Sequence, residues 1–466
     1  MKKPIQYPIR DNPGQLPGMQ EPIPIREWRG VNTFDPYSIA DSYFTDMSNL
    51  TTDDYPAVSV RPGYSVIGSF GAKVLGMGVW KGVELHAVFN DGTWRRWNGT
   101  DWATLKSGLS TTALWSFTNF QGNLTDVNLI GANGVDGLHR YDGATAQVYG
   151  DAPAGINHVT TYQNRIWGAF GKEIRACKLD DGSLWNSFLG TDEDSYGKEL
   201  ESTRGESINM LSGSLSKLTI GMPNSLHEMY GGLPSDFTFS LITEAVGVSN
   251  NQASITQTGL MRLVHYTGLY EWQGGTVPTK EFSEIVGGYA ATASGHAAGS
   301  DGVKTYFYDG NRILLYDPRR GVQAWSVWGG ITPVCFVVFK EELYIGDASG
   351  RVLKLGGSSD DAGTPISWHA ITKPFTNREI ARRQRWLKLW LTVELAVGST
   401  MVIYLSKTVS GSDWELVHTV SGAGTQRVII PVDKFVLENT IRLKFQGTGW
   451  SRIHEFTRQV RQLPIK

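Results

Sequence analysis

Apolar and polar positions along this chain alternate with a period of two over short stretches, and the stretches come in pairs. Each pair reads as a hairpin: a short apolar strand, a turn rich in Gly, Asp or Asn, then an alternating strand that ends in an aromatic residue or Leu. Seven copies align, at residues 85–99 (LHAVFNDGTWRRWNG), 129–143 (LIGANGVDGLHRYDG), 166–180 (IWGAFGKEIRACKLD), 218–232 (LTIGMPNSLHEMYGG), 262–274 (RLVHYTGLYEWQG), 305–318 (TYFYDGNRILLYDP) and 343–356 (LYIGDASGRVLKLG). Measured at the terminal large residue (Trp97, Tyr141, Leu179, Tyr230, Trp272, Tyr316, Leu355), the steps are 44, 38, 51, 42, 44 and 39 residues, a mean of 43. That is the period of four-stranded propeller blades, about 40–50 residues, and not of the shorter helical or leucine-rich repeats. Residues 112–120 and 324–328 read as further strands between copies, and no apolar 3.6-residue periodicity of helix length appears. A single twisted sheet of this kind leaves faces and edges open to water, and stacking such sheets around an axis buries the faces. The expected fold is all-β, built on a six- or seven-bladed β-propeller. The 51-residue step leaves room for an insertion, and a strand within residues 57–67 is available to the first blade to close the ring.

The two ends break the pattern. Six of the 19 prolines (Pro4, Pro8, Pro13, Pro17, Pro22, Pro24) fall in the first 24 residues, which removes donors and fixes φ too often for helix or interior strand. Residues 1–27 therefore form an extended proline-rich arm, either a disordered tail or a strap that orders against a neighbouring subunit. Past Gly356 the run GGSSDDAG reads as a linker, and longer strands follow without the hairpin signature. About seven strands (366–375, 386–395, 400–406, 414–421, 426–431, 440–446, 452–460) match the count of a β-sandwich. The expected domains are the arm at 1–27, the propeller at 28–359 and the sandwich at 360–466.

Composition sharpens this reading. Charged residues make up 19% of the 466, while 54 Gly, 16 Trp, 18 Tyr and 18 Phe favour strands and turns. The net charge of −2 excludes a general nucleic-acid binder. Residues 1–359 carry 28 basic and 36 acidic side chains (−8), and residues 360–466 carry 15 and 9 (+6). Such asymmetry either orients stacked subunits, basic face onto acidic face, or reflects drift in surface charge. Cys177 and Cys335 are too few for a disulfide framework and read as buried thiols. No secretory signal is visible, and the longest uncharged, strongly apolar run, residues 331–339, is nine residues long against the ~20 that span a bilayer as helix. A soluble cytosolic product without membrane insertion is expected.

Chemistry-bearing motifs are sparse. No GxxxxGK[ST], HExxH or GxSxG occurs, and the nine histidines are scattered. Asp192, Glu193 and Asp194 are consecutive, without the alternate-position ligands or Gly of an EF-hand loop, and read as a solvated acidic turn. The segment from Ser406 to Trp414 resembles the Asp-box turn of sialidase-like propellers, with Thr408 where an Asp would stand. No catalytic residue, metal ligand or cofactor site is assigned. The one candidate contact for a partner is Arg378, Arg382, Arg383, Arg385 and Lys388, five positive charges against Glu379 within eleven residues and beside Trp386. The alternative reading is a solvated guard on a sheet edge.

The segment Arg29-Gly30-Val31-Asn32-Thr33-Phe34-Asp35, continued by Ile39-Ala40-Asp41-Ser42, Asp46-Met47-Ser48-Asn49-Leu50 and Val60-Arg61-Pro62-Gly63-Tyr64, resembles the start of bacteriophage tail and head-completion proteins. The resemblance is strong over residues 29–64, and the rest of the layout agrees in outline with the tail hub or nozzle proteins of short-tailed phages. It implies a non-enzymatic virion structural protein, assembled in the bacterial cytoplasm into a ring, commonly a hexamer, around the channel of genome ejection. Implied partners are other copies of the chain, further tail and adaptor proteins, and DNA only as transiting genome. The alternative is a carbohydrate- or receptor-binding propeller at the tail tip, with exposed Trp and Tyr stacking on sugars. A propeller glycosidase would need carboxylates converging in a central pocket.

Overall fold

The computed structural model describes residues 20–466 apart from 215, 290, 293, 321–323, 377–383, 434–436 and 464–466. It divides into two compact units. One comprises Val31–Phe34 and Arg61–Ile366, and the other comprises the segments up to Gly30, Asp35–Val60 and Ser367 onward.

The first unit is a seven-bladed propeller. Its antiparallel sheets occupy residues 74–106, 116–148, 158–199, 210–243, 254–272, 297–328 and 333–355, numbered here as blades 1 to 7. All seven hairpins of the sequence repeat form the second and third strands of successive blades. First strands touch in series through blades 1–4 and again through blades 5–7, and that of blade 7 returns against blade 1. Blades 4 and 5 are joined by Ser214 Oγ and Thr256 Oγ1 at 2.8 Å. The apolar core lies between the blades, where facing sheets exclude water. Leu75, Val88, Trp94, Trp115, Leu129 and Tyr141 fill the space between blades 1 and 2, and Trp167, Ile174, Ile220, Met222 and Met229 that between blades 3 and 4. Blade 5 has three strands, extended by a bridge between Glu271 and Thr279. The 51-residue step does hold an insertion: 19 residues separate Glu173–Ala176 from Tyr196–Glu199 in blade 3.

Closure departs from expectation. Tyr64–Ser69 pairs antiparallel with Arg351–Leu355, so the borrowed strand completes the last blade and not the first. The Gly- and Asp-rich run after Leu355 is no free linker. Gly63 N donates to Ser358 O and Gly356 N to Gly63 O, both at 2.9 Å, and a Cβ on Gly63 would lie 1.7 Å from the Asp360 carbonyl oxygen. Arg61, whose side chain is fully buried, donates to both carboxylate oxygens of Asp361 at 2.8 and 2.7 Å, with its guanidinium 5.7 Å from the Trp328 ring centre.

The second unit is a β-sandwich of two six-stranded sheets. One runs Leu50–Thr51, Val58–Val60, Ser451–Gln462, Gln384–Leu395 and Gly424–Ile430, with Ile23–Ile25 also paired to Ser451–Gln462. The other runs Phe44–Ser48, Ser367–Thr372, Thr440–Thr448, Thr400–Ser406 and Glu415–Val420, with Phe375–Thr376 paired to Thr440–Thr448. Strict alternation places Leu389, Leu391, Val393 and Leu395 inward, and Phe375 of one sheet stacks on Phe456 of the other at 5.5 Å. All seven strands read from the C-terminal sequence are present. The expected boundaries at 27/28 and 359/360 are displaced, because Asp35–Val60 supplies sandwich strands and residues 360–366 belong to the propeller. Of the proline-rich arm, Ile23–Ile25 forms a strand in the sandwich, and residues 1–19 lie outside the described residues.

Breaking the Arg61–Asp361 pair leaves one buried charge unpaired, which costs about 3–5 kcal/mol. Asp361→Ala is therefore expected to lower the unfolding free energy by that order in urea, while Arg61→Leu with Asp361→Leu recovers most of the loss. Equal stability of Asp361→Ala and wild type would show that the pair does not hold the closing strand.

Candidate interaction site

Period-two alternation decides which residues of the sandwich face water. On Gln384–Leu395, a bulge between Trp386 and Lys388 shifts the alternation by one residue, and the outward face carries Arg385, Lys388, Trp390, Thr392 and Glu394. Cross-strand register adds Arg427 opposite Thr392 and Ile429 opposite Trp390, and places Arg461 opposite Arg385. Lys388 Nζ lies 5.9 Å from the Trp390 ring centre, and Ile429 is 61% exposed. Of the predicted basic cluster, Arg385 and Lys388 thus share one exposed surface, and Arg378, Arg382 and Arg383 lie outside the described residues. The strand is flanked on both sides from Leu389 onward, so the edge-guard reading applies only to its first residues.

The propeller axis carries a second constellation that sequence reasoning missed. Asn251 and Gln252 precede the first strand of blade 5, and both their side chains and the Gln252 main-chain carbonyl are used. Asn251 Nδ2 donates to Ser116 Oγ at 3.2 Å and Gln252 Nε2 to Trp115 O at 3.3 Å, across to blade 2. Leu211 N donates to Asn251 Oδ1 at 3.1 Å and Ala298 N to Gln252 O at 2.6 Å, in blades 4 and 6. Val159 N of blade 3 donates to Ser116 Oγ at 3.1 Å. The two amide side chains thus tie blade 5 to blades 2 and 4, while the Gln252 carbonyl holds blade 6 and Ser116 Oγ holds blade 3. The available signal was the polar run Ser249-Asn250-Asn251-Gln252 directly before a strand.

Other buried polar groups also join blades. Glu84 accepts from Tyr141 Oη at 2.8 Å and Arg96 at 3.0 Å, linking blade 1 to blade 2. Burial, reinforced by the Glu84 hydrogen bond, pushes the Tyr141 hydroxyl up to about 12, so it donates and does not ionise at neutral pH. Burial holds His86 below its usual value, and its Nδ1 accepts from Trp94 Nε1 at 3.1 Å. Fully buried Glu228 is saturated by Lys217 at 2.9 Å, Gly275 N at 3.0 Å and the Tyr230 hydroxyl. Burial pushes the Cys177 and Cys335 thiols up to about 12, leaving both protonated and poor nucleophiles. Among the described residues, no three His, Cys, Asp or Glu side chains converge as a metal site.

Two acidic motifs resolve into turns. Asp194, expected as part of a solvated acidic turn, is 5% exposed. Its Oδ2 accepts from the backbone N of Leu189, Gly190 and Thr191 at 2.5, 2.6 and 3.0 Å. In the hairpin after Ser406, Asp413 accepts from the hydroxyls of Ser406 and Thr408, and those bonds hold its carboxyl down at about 2. The carboxylate lacking at 408 is thus supplied from 413. A cavity of about 410 Å³ lies at blades 5 and 6, bordered by Phe34, Tyr266, Lys280, Glu284, Tyr289 and Asp309. None of the 16 tryptophans is exposed, and ten are fully buried.

No protein-family model and no curated protein matches the sequence. Solved structures with a similar fold include the extracellular domain of a hybrid two-component system of B. thetaiotaomicron (TM-score 0.46, 10% identity, 84% of this chain and 58% of that one). Another is the extracellular domain of a one-component system of the same organism (TM-score 0.46, 11% identity, 92% and 63%). A third is the Cps50 (Swd1) β-propeller domain of Myceliophteria thermophila (TM-score 0.44, 11% identity, 64% and 100%). The chain thus spans under two thirds of the two bacterial domains.

Asn251→Ala removes a donor and an acceptor at the axis and leaves Leu211 N unpaired, a loss of about 1–3 kcal/mol. A lowered melting temperature by calorimetry is the expected outcome, and an unchanged one would show that the amides do not bind the blades together.

Proposed function

We propose that the protein is a virion structural subunit, one copy of a ring in the tail hub or nozzle of a short-tailed bacteriophage. The ring, commonly a hexamer, encloses the channel through which the genome leaves and joins the head-side adaptor. The observation that carries this reading is the use of the tryptophans: ten of the sixteen are buried in packing, six are half-buried and none stands fully exposed as a stacking platform. The segment with the phage-like pattern fits it as well. Val31 N donates to Trp325 O, Phe34 N to Asn32 Oδ1, and Arg61 and Gly63 hold the closing strand, so these motif residues serve architecture. Because side chains from blade 5 reach blade 2 across the propeller axis, the DNA passage in this proposal is the space enclosed by the ring of subunits and not the axis of one propeller.

A carbohydrate- or receptor-binding propeller is the second reading, favoured by the cavity at blades 5 and 6, where Tyr266 and Phe34 are 51% and 45% exposed. Aromatic faces beside carboxylates suit the apolar faces and hydroxyls of a pyranose.

Mass measurement of the purified protein, alone and mixed with its adaptor ring, is expected to give a closed oligomer; a monomer that binds no adaptor would refute the first reading. On an array of bacterial surface glycans, wild type and Tyr266→Ala are expected to give equally low signals. A glycan retained by wild type at least tenfold more tightly than by Tyr266→Ala would establish the second reading.

A further inference from the structure

The insertion in blade 3 presents apolar side chains on a rigid base. Leu184, Phe188 and Leu189 are 41%, 60% and 79% exposed. The loop beneath them is braced from two sides. Arg165, whose residue is 0% exposed, donates through Nη1 to the carbonyls of Cys177 at 2.8 Å, Asp194 at 2.6 Å and Glu193 at 3.3 Å, and through Nη2 to Asp192 O at 2.8 Å. The Asp194 carboxylate gathers the amides of residues 189–191, as described above. Trp185, fully buried, donates Nε1 to Gly182 O at 3.0 Å and its backbone N to Asp151 Oδ1 at 2.6 Å. Ordering that a flexible loop would undergo on binding is therefore complete before any partner arrives. Large apolar side chains held in water on such a base are the composition of a protein-binding hot spot.

Charge identifies the partner surface. Residues 177–195 place Asp180, Asp181, Asp192 and Glu193 at the surface against Lys178, Asp194 being buried beneath the loop. Their complement is an apolar patch rimmed by Arg or Lys, and the outward sandwich face has that chemistry at one end: Ile429 and Trp390 flanked by Arg385, Lys388 and Arg427, with the carboxylates Glu394 and Glu455 toward the other end of the strand. We propose that the blade 3 loop of one copy docks, through Phe188 and Leu189, on the outward sandwich face of a second copy. The contact uses different surfaces on the two subunits, and heterologous contacts of this kind close into rings when the rotation fits. The inference rests on the ring assembly proposed above and names the surfaces that make it.

Leu189→Cys and Ile429→Cys are made as separate variants of the full chain and treated with a short bis-maleimide, singly and mixed; the buried native thiols stay silent. Cross-linked pairs should form in the mixture and in neither variant alone. Phe188→Asp with Leu189→Asp should weaken self-association at least about 100-fold and leave the melting temperature unchanged, because both side chains project from the folded blade. Rings in the wild type, together with no mixed cross-link or with undiminished assembly of the double variant, would overturn the docking assignment while the ring reading stands. Cross-linking of Leu189→Cys with itself would overturn it in favour of a symmetric contact. A wild type that stays monomeric at every concentration would overturn both readings.

Discussion

The propeller depends on one long-range pairing. Seven sheets stacked around an axis bury their faces only if the last meets the first, and an open arc would leave two apolar faces in water. Tyr64–Ser69 provides that closure by hydrogen-bonding to Arg351–Leu355, so the fourth strand of the last blade comes from the beginning of the chain. The ion pair between buried Arg61 and Asp361, residues 300 positions apart, holds the entry to this strand. The absence of space around Gly63 shows how closely the two chain segments run.

The same economy of long-range pairing governs the sandwich. The central strands Gln384–Leu395 and Ser451–Gln462 pair along most of their length, yet the sheets are completed by Leu50–Thr51, Val58–Val60 and Ile23–Ile25 on one and Phe44–Ser48 on the other. Trp28 stacks on Phe44 at 4.7 Å, and Asp41 pairs with Arg458 and Lys373. The segment 29–64 therefore contributes strands and ties to both units, which accounts for its dense pattern of Gly, Asn, Asp and Arg.

Buried polar chemistry throughout the propeller joins blade to blade. Glu84, Glu228, Ser116 and Asn251 each bond residues of more than one blade, and their lone pairs and protons are engaged in doing so. Groups so engaged stiffen the ring. The chemistry that is turned outward lies elsewhere, in the acidic, apolar-tipped loop of blade 3 and the basic outward face of the sandwich.

The hairpin repeat, the all-β class and the seven C-terminal strands were legible from residue order, because period-two alternation and Gly or Asp turns are local consequences of backbone geometry. The insertion in blade 3 was legible too, as one long step in an otherwise regular series. Which blade received the borrowed strand, the sandwich role of residues 35–60, the reach of Asn251 to Ser116 and the opposition of Arg385 to Arg461 were decided only by tertiary structure. Alternation tells a strand which face to bury but not which edge to join, and an edge partner hundreds of residues away leaves no mark on the sequence beside it.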